Sequence, residues 1–189
     1  MGAKTITKIT LAFILTGFLG LSPLYGENTR GVQVEFNLIV DNSRAFSEIA
    51  DNALAWVSQA IVNDMMMAGD RVTIWGAGEP AQIIFSGDIN SNADRKNVKL
   101  ALHGLCASAA RADFLGALQQ AASSPPFAGI TYTLLVSSMP ALASAIAGPA
   151  AGLLRISRVE EFPGWRAVVV GLNLDARVRQ MAADLDDFF

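Results

Sequence analysis

The chain is poor in the residues that disulfide scaffolds and most catalytic sites need. It holds one cysteine and one histidine in 189 residues. A single cysteine excludes an intramolecular disulfide, so stability must rest on packing. That residue, Cys106, lies in the apolar run LALHGLCASAA. It reads as a buried small hydrophobe. His103, in the same run, reads as structural, because no nucleophile motif accompanies it. Charged residues make up only 16% of the chain and the net charge is −3. No broad basic surface follows, which argues against nucleic acid as a partner. The apolar run Leu11–Leu21 is too short for a comfortable membrane span.

That run does have a recognisable setting. Lys4 and Lys8 precede it, and Ser22, Pro23 and Gly26 follow it. This is the layout of a secretory signal peptide over residues 1–26. Leu24 sits where a small residue is usual, so an uncleaved N-terminal anchor is the alternative. Either form implies export, to the periplasm or out of the cell, with membrane contact only through the leader. No cysteine lies near the leader's end, which argues against lipid attachment. Hydrophobic residues reach 52%, and one domain is expected over residues 31–189.

The domain begins with the stretch that organises the rest, VQVEFNLIVDNSRA (Val32–Ala45). Val34, Phe36, Leu38 and Val40 alternate, and Ile39 is apolar as well, which suits a strand covered on both faces near its end. Asp41, Asn42 and Ser43 break the run where a helix is expected to start. Apolar residues from Phe46 to Ile61 then recur at three- and four-residue spacing, predicting one long helix over Ser43–Met67, stopped by Gly69-Asp70. Arg71–Trp75 and Ala81–Phe85 read as an antiparallel hairpin. Gly76, Gly78 and Ala81 match G-x-G-x-x-A, but the dinucleotide reading needs a helix at this point. Pro80 and a strand-like run follow instead.

Helices are expected over Ala93–Ala110 and Phe114–Ala122, and a central strand over Ile130–Val136. Ser137, Ser138 and Pro140 then open a helix over Ala141–Ile156, kinked at Gly148-Pro149. Residues Glu160 to Gly164 read as a loop, Ala167–Leu172 as a buried strand and Asp175–Phe188 as a closing helix. This order predicts a doubly wound α/β fold. Its sheet is mostly parallel, with one antiparallel edge strand and helices on both faces, a three-layer arrangement.

Three strand or loop ends carry polar residues in a telling order. They are Asp41-Asn42-Ser43-Arg44-Ala45, then Ala112-Asp113-Phe114-Leu115-Gly116-Ala117-Leu118, then Leu134-Leu135-Val136-Ser137-Ser138-Met139-Pro140. The set resembles the von Willebrand factor type A (vWA) domain. That family shows D-x-S-x-S, T-D-x-x-G-A-L and L-L-T-D-G-x-P in the same order. The resemblance implies a Rossmann-like fold and a binding face formed by Asp41, Ser43, Asp113 and Ser137. In the family these positions hold a divalent cation, usually Mg²⁺, whose open position takes a partner's carboxylate. Here Asp41 and Ser43 are the implied metal ligands. Ala45, Ala112 and Ser137 replace three of the family's oxygen ligands. The expectation is a degenerate site with weak Mg²⁺ binding or none, and no other cofactor. Arg44, next to the lone carboxylate, is placed to supply a replacement positive charge by pairing with Asp41.

The resulting expectation is an exported protein-interaction module, not an enzyme. It binds a partner protein through loops at the carboxyl ends of the strands. Two alternatives stay open: a structural piece of an envelope assembly, and a serine hydrolase using Ser43 or Ser137. Against the hydrolase, neither serine sits in a G-x-S-x-G elbow, and the one histidine lies mid-chain.

Overall fold

The computed structural model describes residues 30–138 and 154–172, with backbone only for 154–158 and 170–172. The leader, most of the expected helix over Ala141–Ile156 with its Gly148-Pro149 kink, and the expected closing helix lie outside the described residues. Six strands form one mixed sheet in the order β3-β2-β1-β4-β6-β5. They are β1 (Val34–Val40), β2 (Asp70–Gly76), β3 (Gln82–Ile89), β4 (Ile130–Ser138), β5 (Leu154–Phe162) and β6 (Trp165–Leu172). The centre is parallel: β1 runs alongside β2 on one side and β4 on the other. β3 returns antiparallel to β2, as the hairpin reading expects.

All seven residues of β1 are buried, which fits its apolar pattern and its central place. The strands divide their side chains between two clusters. Phe36, Leu38 and Val40 join Val72, Ile74, Leu134 and Val136 in the larger one. Helix α1 (Ala50–Trp56), a π-helical segment (Val57–Asn63) and helix α2 (Asn92–His103) pack there. Ile39, Trp75, Leu135 and Val168 belong to the second cluster, with Phe114, Ala117, Leu118 and Ala121 of α3 (Phe114–Ala122). Adjacent β1 residues thus serve different clusters, as a period of two requires.

Three expectations need correction. The long helix over Ser43–Met67 is in fact a 3₁₀ turn (Arg44–Phe46), α1 and the π segment. The π winding shows in bonds that span five residues, Asp64 N–H to Gln59 O (3.1 Å) and Met66 N–H to Ile61 O (3.0 Å). The helix expected over Ala93–Ala110 stops at His103. Leu105 N–H still bonds back to Leu102 O, but from Ala109 to Asp113 the backbone finds partners in the loops after β1 and β2. Cys106 therefore lies beyond the helix and is exposed, not buried.

The third correction concerns the sheet. The stretch read as helix end and loop is β5, joined to β6 by Pro163 and Gly164, with Gly164 at φ +84°. A two-residue turn is far too short for a parallel crossover. β6 consequently runs antiparallel to both β5 and β4, so antiparallel pairing occurs at both edges of the sheet, not one. Aromatic packing anchors the turn. Phe162 stacks on Trp165 (4.0 Å between centroids), and Trp56 of α1 meets both rings, at 5.2 and 5.7 Å. Among the described residues no helix is long and apolar enough to cross a membrane.

Candidate functional site

The chain steps from β1 to β2 on one side of the sheet and later enters β4 on the other. The carboxyl ends of the neighbouring strands β1 and β4 therefore lie at a switch point in the strand order. A crevice at such a switch point is where open α/β sheets bind ligands. Asp41 and Ser137 meet there. Asp41 N–H donates to Val136 O (2.9 Å) and extends the β1–β4 ladder by one residue. The Ser137 hydroxyl donates to Asp41 Oδ2 at 2.6 Å. Asp41 Oδ1 accepts the Ser43 backbone N–H at 2.8 Å, an Asx turn that bends the chain out of β1. Asp41, Ser43 and Ser137 are 2%, 3% and 0% exposed. Three of the four expected site residues are thus gathered at one point.

Asp113 has a different task. Its backbone N–H donates to Ala77 O (2.8 Å), and its carboxylate accepts Gly116 N–H (2.8 Å) as the N-cap of α3. No described contact joins it to Asp41, Ser43 or Ser137. Arg44 is also placed otherwise than expected. It is exposed, and its Nε donates to Ser108 O (3.2 Å) rather than to Asp41. Each Asp41 oxygen already accepts one internal donor, the Ser43 N–H and the Ser137 hydroxyl. His103 is exposed in the last turn of α2.

The donor set suits a divalent cation poorly. Mg²⁺ needs several oxygens, with anionic charge to offset dehydration. Asp41 is the lone carboxylate of the group, and internal donors satisfy it. Ser137 gives its proton to that carboxylate. Among the described residues no group of three or more His, Cys, Asp or Glu side chains is placed to hold a metal.

The sequence reading gave no role to Asn42. Its side chain lies between Gly76, Gly78 and the segment after α2. A Cβ on Gly78 would fall 2.6 Å from Asn42 Oδ1 and 2.8 Å from Ala109 Cβ; one on Gly76 would fall 3.2 Å from Asn42 Nδ2. The G-x-G pair therefore makes room for a side chain, not for a pyrophosphate. Glycines beside a hairpin, with an Asn at the end of the neighbouring strand, are the signal that could have found it. Asn42 is 8% exposed, and its Oδ1 has no hydrogen-bond partner. The segment Leu105–Asp113 crosses above. Ala109 N–H donates to Asn42 O (3.1 Å) and Arg44 N–H to Ala109 O (2.9 Å), while Gly78 and Ala112 form an isolated bridge.

Comparison with protein-family models, with curated proteins and with solved structures finds no match.

Proposed function

We propose that this chain is an exported protein-interaction module of vWA-like type. In this reading it is doubly wound in three layers and engages a partner protein through the loops after β1, α2 and β4. The observation that carries the reading is the 2.6 Å bond between Asp41 and Ser137 at the sheet's switch point. It ties the end of β1 to the end of β4 where α/β sheets take their ligands, and it commits the one carboxylate of the group to an internal donor. In this reading divalent-metal dependence is weak or absent, and the module is not an enzyme. Ser137 is wholly buried, so a substrate cannot reach its hydroxyl.

Two measurements together test this. A thermal melt with millimolar Mg²⁺ or Mn²⁺ should match the melt in EDTA, since a cation that bound only the folded state would raise the melting temperature. Partner capture from an envelope fraction should survive EDTA. It should fail for an Arg44→Glu, Arg111→Glu variant that melts like wild type, because both residues are exposed on this face. A clear metal-induced rise, abolished by Asp41→Ala, overturns the metal-independent reading. Capture that is indifferent to the loop variant points to a structural role without a ligand at this face.

A further inference from the structure

We propose that Leu105–Asp113 is a strap that lifts as a unit and gives up its place to an extended main chain from the partner; this rests on reading that face as the binding surface. The strap is held by backbone bonds more than by burial. Between Leu105 and Asp113 no side chain is fully buried, and Cys106, Ser108, Ala110 and Arg111 are exposed. Leu105 and Ala112 pack only partly, each against a different cluster. Segments with few buried apolar contacts open well below the global unfolding free energy.

What the strap occupies is a strand-pairing slot. Asn42 O and Arg44 N–H both bond to Ala109, and Ser43 and Ala109 form a parallel bridge. That is one repeat of a parallel ladder, the same main-chain chemistry by which extended peptides add to sheets. The closed strap also leaves a fault beneath it. Asn42 Oδ1 is buried between Gly78 and Ala109 with no donor. Lifting the strap lets water reach that oxygen, and an incoming segment with a donor side chain satisfies it. The slot thus favours an extended partner segment with small residues flanking one hydrogen-bond donor.

Native-state hydrogen exchange on the purified protein reads the strap without any partner. The Arg44, Ala109 and Asp113 amides should exchange at least about tenfold faster than those of Asp41 and Ala77, with rates insensitive to low denaturant. Equal protection would make the strap a permanent part of the fold and end the proposal. Asn42→Ala removes the unpaired acceptor and should slow strap exchange by about tenfold; unchanged or faster exchange refutes the role given to Asn42. A synthetic peptide of residues 105–113, added in trans, should shift the Asn42, Ser43 and Arg44 resonances saturably, and no shift refutes the slot. If partner capture fails while strap exchange behaves as expected, the binding-face reading falls and the strap stands.

Discussion

Replacing Ser137 with alanine isolates the bond on which the site depends. The hydroxyl lies 2.6 Å from Asp41 Oδ2, and the two residues are 0% and 2% exposed. The substitution removes one oxygen and leaves the rest of the side chain in place, so little cavity energy enters. A hydrogen bond to a charged group contributes about 1.5–3 kcal/mol net, and here the carboxylate oxygen left behind has no water to replace the donor. The expected loss is about 2 kcal/mol, which in a domain of this size lowers the melting temperature by about 4–8 °C. Urea unfolding followed by circular dichroism should show a lower midpoint with an unchanged slope. Asp41→Ala should cost more, because the Ser43 N–H loses its acceptor too. The double-mutant cycle of Asp41→Ala with Ser137→Ala should return a coupling of about 2 kcal/mol. A Ser137→Ala loss below about 0.5 kcal/mol, or a coupling near zero, would refute the claim that this bond ties the ends of β1 and β4 together.

Asp70 is fully buried; it accepts Val34 N–H (3.0 Å) and Met67 N–H (2.7 Å) and pairs with Arg30. Asp70→Ala should therefore cost about 3–5 kcal/mol in urea unfolding, and a loss under about 1 kcal/mol would show that solvent already reaches those groups. Burial pushes the Glu35 carboxyl above its ordinary value, against the hydrogen bond from Thr131 and the charge of Arg71. A carboxyl raised on folding stabilises the native state below its unfolded pKa and loses that contribution as pH rises through the folded one. Glu35→Gln should hence be more stable than wild type at pH 7, with the gap closing in acid; a constant gap across pH contradicts the assignment. Gly78→Ala drives a methyl to 2.6 Å from Asn42 Oδ1 and should cost about 1–3 kcal/mol, read by calorimetry, with a neutral result meaning that Asn42 moves freely.

The first three strands were legible in the sequence because local rules decide them. Alternation marked β1, and Gly76 to Pro80 marked the β2–β3 connection. The Asp41 and Ser137 positions were legible for the same reason, since each is the first polar residue after an apolar strand. The reading failed where the backbone's partners lie far along the chain. Leu105–Ala110 has a helical composition, yet the Ala109 amide and carbonyl bond to Asn42 and Arg44, more than sixty positions earlier, and no window of local pattern reports that. The β5–β6 hairpin failed for a different reason. Pro163-Gly164 is turn chemistry, but charged residues on either side made the whole stretch resemble a loop. Packing of Phe162 and Trp165 on Trp56, a tertiary contact, overrides that appearance. Arg44 shows the limit of adjacency as an argument: neighbours in sequence at a tight turn point apart, and its guanidinium reached Ser108 instead.

Position 137 offers a direct test of whether an acidic residue at this point would need a cation. The resembling motif would carry an acidic residue there. A carboxylate in place of the Ser137 hydroxyl would face Asp41 at hydrogen-bonding distance, and two like charges that close cannot both stay ionised without a proton or a metal between them. Serine reverses the sign of the contact, because its hydroxyl donates where a second carboxylate would repel. Measured against that motif, serine at 137 would both lack the acidic ligand and relieve the repulsion that a metal would offset. Ser137→Asp should restore the need. Without metal the variant should be less stable than wild type at pH 7 and regain stability in mild acid, as one carboxyl takes up a proton. With millimolar Mg²⁺ its melting temperature should rise at pH 7 while that of wild type stays put. A Ser137→Asp variant as stable as wild type in EDTA would mean that the two side chains can turn away from each other, and the bond between Asp41 and Ser137 would then be one arrangement among several rather than the element that orders the face.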